Sequence, residues 1–295
     1  MKKFLTTSVL QRKSCVRRAV IGLIAFSFIA SILMPIHASA TTVPLESCAQ
    51  KEIIAHRGRW DATRTENTMR AYQYAVETGS KIVEMDTQLT RDGHWVMMHD
   101  LRLNRTTNKW GYVKNRSLAY IKSARTNDGT LGGVPTLREV FTYFQGQPDV
   151  KLLFEIKTQY VSNTKLAGLL AMINQYGLKD RIIFELANTN LTDRIYAMDP
   201  SYVHSIVMRS STTPDFMKRH HATILVLRHN YVTPSLVDAM HANGIKVWSW
   251  TIDTETPWRA STTANVDGII TNRIGTITNL CATAVQNATN PTPAP

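Results

Sequence analysis

Short apolar runs of strand length alternate with segments of helical spacing along most of this 295-residue chain, and that alternation limits the fold more than any other feature. Ile53-Ile54-Ala55 reads as a short buried strand. Thr68 to Val76 has helical spacing, with Met69, Tyr72 and Val76 on one face, and Gly79 stops it. Ile82 to Met85 is the next strand. Arg91-Asp92-Gly93 is a turn signal, and His94 to Met98 is a strand after it. Thr136 caps a helix from Leu137 to Phe144. Lys151 to Ile156 reads as a strand and Lys165 to Tyr176 as a helix. Arg181 to Phe184, Val203 to Met208 and Ile224 to Leu227 are strand candidates, followed by a helix from Pro234 to Ala242. Ile245 to Trp250 and Gly268 to Thr271 close the series. Strands and helices in turn predict a parallel sheet, most simply a single (β/α)8 barrel of the α/β class over residues 41–285. Nine strand candidates compete for eight places, so at least one of these readings is wrong, and the sequence does not say which.

The N-terminus is different. Met1 to Ala40 carries Lys2, Lys3, Arg12, Lys13, Arg17 and Arg18 and no acid, then an apolar run from Ala19 to Pro35 that ends in Ala38-Ser39-Ala40. A basic start, a short apolar run and a small-residue site predict a secretory signal peptide cut after Ala40. A retained membrane anchor is the competing reading, but the run falls short of the roughly 20 residues a spanning helix prefers. Arg17-Arg18 raises a twin-arginine export route, which the residues around the pair fit poorly. Removing those six charges takes the formal charge from +12 to +6. Cys15 would leave with the signal, and Cys48 and Cys281 are expected to pair, since disulfides persist outside the cytosol; free-thiol chemistry is the alternative. Gln286 to Pro295, rich in Ala, Asn, Thr and Pro, reads as a disordered tail. The composition, 43% apolar and 19% charged, excludes a disordered chain as a whole.

The residues that carry chemistry fall at expected strand ends. His56-Arg57-Gly58 follows the first strand, Glu84-x-Asp86 closes the second, His99-Asp100 the third, and Glu155-x-Lys157 the strand at 151–156. In a barrel such ends share one face. Glu84 and Asp86 are two apart in a strand and point the same way. With Glu155 they make an all-oxygen set that suits one hard divalent cation, Ca²⁺ or Mg²⁺. Structural ion pairs with Arg or Lys would be the plainer use of these acids. His56 and His99 could move protons near neutral pH; as metal ligands they would favour zinc instead. His94, His204, His220 and His241 read as structural or surface residues. Arg57 and Lys157 supply charge for an anion. Together these residues fit phosphodiester cleavage.

The run from Ile53 to Thr107 resembles the start of the glycerophosphodiester phosphodiesterase family. It holds H-R-G, E-N-T, E-x-D, D-G ahead of H-D, and L-x-R-T-T in that order. FEIK around Glu155, VWSWTID around Trp250 and VDGIIT ending at Thr271 extend the likeness over nearly all of 41–285, less specifically. The resemblance implies a TIM barrel and a secreted, metal-dependent hydrolase. It makes His56 and His99 the acid/base pair and Glu84, Asp86 and Glu155 the ligands of Ca²⁺ or Mg²⁺. Arg57, Lys157, Trp250 and Glu66 become substrate-site residues, with Trp248 left to core packing. Attack by a substrate hydroxyl would give a cyclic phosphate, and glycerol 3-phosphate is the usual product.

Three positions depart from the family pattern. Thr65 stands where Pro usually precedes E-N-T, Phe184-Glu185-Leu186 where a strand end carries Ser-Phe, and Thr271-Asn272-Arg273-Ile274 where T-D-x-P is usual. All could alter which head group fits. The leading expectation is hydrolysis of small glycerophosphodiesters. One alternative is a phospholipase D-like enzyme on lysophospholipid or sphingolipid, the one case that implies a membrane surface, and it would want an apolar rim. Another is a non-enzymatic binder of cell-wall phosphodiester polymers. Nucleic acid is not expected, since the basic residues read as scattered, and no protein partner is implied.

Overall fold

The computed structural model describes residues 51–158 and 160–289. The signal peptide expected at 1–40, Cys48 and the end of the expected tail at 290–295 lie outside them.

Eight strands run parallel: β1 (Glu52–Ala55), β2 (Ile82–Leu89), β4 (Lys151–Ile156), β5 (Ile182–Leu186), β6 (Val203–Met208), β7 (Ile224–Arg228), β8 (Lys246–Trp250) and β9 (Gly268–Thr271). They pair in the order β1-β9-β8-β7-β6-β5-β4-β2, and a β1–β2 pairing closes the ring. The closed (β/α)8 barrel is thus the expected one. The surplus strand is β3 (Trp95–Met97), which pairs antiparallel with Thr87–Leu89 of β2. The Arg91-Asp92-Gly93 turn gives a hairpin, whereas a parallel neighbour needs a crossover of a dozen or more residues. His99 therefore does not end a barrel strand. It reaches the barrel mouth because β3 runs back toward it, with Met98 N bonded to Asp86 O at 3.0 Å.

The strand period of two sorts the barrel interior into layers. Ile54, Ile82, Leu153, Ile183, Ile224, Val226, Trp248 and Ile270 form an apolar floor. The next inward positions along the same strands, including Glu84, Glu155, Glu185 and Trp250, line a cup above it. Trp248 and Trp250 share a parity, so both face inward, one in the floor and one in the cup wall.

The described α-helices are α1 (Met69–Glu77), α2 (Leu118–Lys122), α3 (Leu137–Gln145), α4 (Asn163–Gln175), α5 (Thr189–Met198), α6 (Pro214–Arg219), α7 (Pro234–His241), α8 (Glu255–Thr263) and α9 (Ile274–Thr289). Thr136 and Glu139 form a capping box on α3, which fixes its start as the sequence predicts. Helix α9 runs past the expected start of the tail at Gln286, and its Leu280, Cys281 and Ala284 pack on the barrel's core. Residues 286–289 are therefore helical rather than tail.

Residues 100–136 form an insertion around a small core of Val96, Met98, Leu103, Val113, Ile121 and Val134. The basic residues are less scattered than expected. Residues 101–126 hold Arg102, Arg105, Lys109, Lys114, Arg116, Lys122 and Arg125 and no acid.

Candidate active site

A cup of about 330 Å³ opens at the C-terminal end of the barrel. His56, Arg57, Glu84, His99, Glu155, Lys157 and Trp250 all line it, so the structure brings these expected residues together.

The acids sit in register. Asp86 pairs with Glu155 across β2 and β4, and Glu155 with Glu185 across β4 and β5. Single oxygens of Glu84, Asp86 and Glu155 all lie within 4.8 Å of one another. Lys157 Nζ is 2.8 Å from Glu155 Oε2 and 3.4 Å from Asp86 Oδ1. Asp86 Oδ1 is nevertheless buried without a hydrogen bond. Burial pushes Glu84 and Glu155 above the usual carboxylate range, and the neighbouring acids add to it. Burial acts on Asp86 as well, but Lys157 and Arg57 outweigh it and hold this carboxyl at about 2. An orphaned buried carboxylate oxygen among three converging acids fits a hard divalent cation.

Glu185 is a charged cup residue that sequence reading left unassigned. It is buried on the inner face of β5 and has no hydrogen bond, and burial beside Glu155 raises it well above the usual range. Its signal was present in the sequence as a departure from the family's Ser-Phe.

A second layer holds the first. Backbone N of Arg57 donates to Glu84 Oε2 at 2.6 Å. That geometry needs a left-handed backbone at Arg57, φ 59°, and at Gly58, φ 79°. A Cβ on Gly58 would lie 2.8 Å from the carbonyl carbon of Ala71, so only glycine lets α1 approach the strand end. Asn67 donates from Nδ2 to Asp86 Oδ2 at 2.7 Å, and its Oδ1 accepts from Asp86 N and from the Tyr72 hydroxyl. Glu66 does not line the cup. Arg57 donates to its Oε1 at 2.9 Å, and Arg105 grips both its oxygens at 2.7 and 2.8 Å. Asn67 and Arg105 went unassigned earlier, although they are the N of E-N-T and the R of L-x-R-T-T. Thr65, in place of the usual Pro, ties this loop to Asp128 of the insertion.

The two histidines have unlike partners. His99 Nδ1 lies 2.7 Å from Asp100 Oδ1, and Asp100 is itself held by Arg105. His56 Nδ1 lies 2.6 Å from Asn272 Oδ1, while Asn272 Nδ2 donates to Asp253 Oδ2 at 2.7 Å. In both rings Nδ1 faces an acceptor and therefore carries a proton, which leaves Nε2 as the atom that can take up or release one. Burial, and then Arg57, lowers His56 to about 4. Burial also lowers His99, against the pull of Asp86. His204 is buried against Phe184, and His220 and His241 pair with Asp193 and Asp267, so these three are structural. Trp250 forms one wall, with the Arg209 guanidinium 5.5 Å from its ring centre.

A (β/α)8 barrel that gathers acids, paired histidines and cations at its C-terminal mouth defines a hydrolase of phosphate esters. Residues 56–276 match the model of the glycerophosphoryl diester phosphodiesterase family. The chain is 32% identical over 239 residues to the glycerophosphodiester phosphodiesterase of Caldanaerobacter subterraneus subsp. tengcongensis, a match covering 77% of this chain and 96% of that one. Its fold is similar to that of an Oleispira antarctica phosphodiesterase solved with the product sn-glycerol-3-phosphate: TM-score 0.71, 22% identity, 81% of this chain and 98% of that one. A glycerophosphodiester phosphodiesterase from Parabacteroides distasonis is similar too, with TM-score 0.71, 20% identity, and 79% and 98% covered. The chain belongs to the glycerophosphoryl diester phosphodiesterase family, and it is an enzyme of that phosphodiesterase class.

Proposed function

We propose that the enzyme hydrolyses glycerophosphodiesters to an alcohol and glycerol 3-phosphate, with His56 as general base, His99 as general acid, and Glu84, Asp86 and Glu155 holding one Ca²⁺ or Mg²⁺. The observation that carries this reading is the unlike pairing of two histidines in one cup. Asp100 is a carboxylate whose bond favours a charged His99 ring against burial, whereas at His56 burial and Arg57 outweigh the pull of the neutral Asn272 amide and hold the ring neutral. When bound, the cation offsets charge on the phosphate oxygens. Lys157, and Arg57 once Glu66 has oriented it, face the same phosphate.

His56 Nε2 takes the proton of the glycerol hydroxyl next to the ester. That oxygen bonds to phosphorus, the bond from phosphorus to the alcohol oxygen breaks, and His99 Nε2 gives its proton to the leaving alcohol. A cyclic phosphate results. Water opens it with the two roles exchanged, and glycerol 3-phosphate forms. Each proton transfer contributes about 10²–10⁴-fold.

Export is part of the same reading. The basic and apolar run before Ala40 supports a cleaved signal and a secreted enzyme. Disulfide pairing of Cys48 with Cys281 would close a loop of more than 230 residues, worth up to about 5 kcal/mol. A fall in melting temperature on adding reductant, and its absence in Cys281→Ser, would support the pairing.

The function is tested by stripping the purified enzyme with EDTA, restoring Ca²⁺ or Mg²⁺ singly, and following glycerol 3-phosphate release from glycerophosphocholine beside lysophosphatidylcholine. Metal-restored turnover of the first substrate alone supports the proposal. Turnover of the lipid alone would replace it with the phospholipase D-like reading. Full activity in the stripped, metal-free enzyme would remove the cation from the mechanism.

A further inference from the structure

An amphipathic surface outside the cup lies on the insertion at 100–136 and the loop after β4. Segments 101–103 and 111–113 run side by side, with Leu103 N bonded to Gly111 O at 3.0 Å and Val113 N to Leu101 O at 2.9 Å. They form one wall of a groove of about 350 Å³, where Leu101, Tyr112 and Tyr160 stand among Arg91, Lys114 and Lys165. Trp110, at the start of the return segment, is 70% exposed, Tyr160 is 89% and Leu101 49%. No acid lines the groove among the described residues.

We propose that this surface docks the enzyme on an anionic lipid bilayer, with Trp110, Leu101 and Tyr160 entering the headgroup region and Lys109, Lys114 and Arg91 facing lipid phosphates. Amphipathic aromatics and aliphatic tips flanked by cations are what a bilayer interface holds, and charge complementarity commits the surface to an anionic one. A nucleic acid fits less well. It would need open ring faces for bases, but Arg102 covers Tyr112 at 4.2 Å, and Arg116 and Lys109 cover Tyr120 at 4.7 and 5.1 Å. Leu101 offers nothing for a base to stack on. The surface is joined to the cup along the chain: Leu101 follows His99 by two residues and Tyr160 follows Lys157 by three. Docking would hold the mouth of the cup beside lipid head groups. The inference does not depend on which diester the cup cleaves.

Tryptophan fluorescence of the full chain is read on phosphatidylcholine vesicles that carry brominated acyl chains, with and without phosphatidylglycerol. The readout is local because Met1–Ala40 holds an apolar run of its own. Quenching that needs phosphatidylglycerol, weakens with salt and disappears in Trp110→Phe is expected. In the double variant Lys109→Glu, Lys114→Glu, the lipid concentration needed for half-quenching should rise about tenfold or more. All variants should hydrolyse soluble glycerophosphocholine as the parent does, which shows that they fold. Quenching unchanged in Trp110→Phe, or indifferent to the two charge reversals, would overturn the proposal. So would binding of soluble polyphosphate without any quenching on vesicles, which would assign the cations to a polymer.

Discussion

His56 donates from Nδ1 to the side-chain oxygen of Asn272 at 2.6 Å, and Asn272 passes the contact on to Asp253. An amide thus stands between the imidazole and the nearest carboxylate on that side. Its orientation is fixed, since only its nitrogen can donate to Asp253. After burial, the Arg57 charge disfavours protonation of the ring, and the Asn272 bond, Asp86 and Glu66 pull the other way.

Replacing this amide by a carboxylate should therefore show in the pH profile. In the parent, His56 titrates at about 4 instead of 6.5, so the base is free at every higher pH and the acid limb of kcat/KM falls near 4. Asn272→Asp should move that limb up by about 1 to 3 pH units. The depressed value also makes folding acid-sensitive: stability present above 6.5 is lost as the pH falls toward about 4. A pH–rate series on both proteins decides the matter, and an unmoved limb would refute the amide's role.

His56→Ala and His99→Ala should each lower kcat by about 10²–10⁴-fold with the far-ultraviolet circular dichroism unchanged. Normal turnover by either would remove that ring from the reaction. Asp100→Asn should mainly impair the acid, since it takes the charge from the partner of His99.

The Glu185 side chain has no hydrogen bond to lose among the described residues, so Glu185→Gln keeps its shape and removes its ability to ionise. A carboxyl raised by burial favours the fold when protonated and loses that contribution as the pH rises above its unfolded value. In metal-stripped enzyme, Glu185→Gln should therefore stabilise more at pH ~8 than at pH ~5. Urea unfolding at the two pH values measures the difference. Equal effects at both would mean that Glu185 is already paired.

Gly58→Ala forces a Cβ to within 2.8 Å of α1 at a residue with φ 79°. The loss of stability should exceed about 1 kcal/mol. Because Arg57 N holds Glu84, kcat/KM should fall with it. A variant with parental melting temperature and rate would show that α1 can yield.

The cup's first residues were legible in the sequence because each sits next to a strand end, and a strand's period of two fixes which side chains look inward. That gave Glu84 with Asp86, Glu155 with Lys157, and His56. It left Glu185 unassigned, since an acid on a fifth strand gains meaning only from its register beside Glu155. It also missed helices α2, α5, α6, α8 and α9, where polar and small residues or short length blur the helical period.

The sequence by itself determined the alternation of strand and helix, the inward parity, and the identity of the acids and histidines, because these are local properties of neighbouring residues. Tertiary structure alone decided which strand stands outside the ring, and that His99 reaches the cup by an antiparallel return. It alone set Asn272, 216 positions away, against His56, and drew Arg105 onto Glu66. Closing a barrel brings the first strand beside the last, and no pattern within a short window of sequence reports a contact that spans the whole chain.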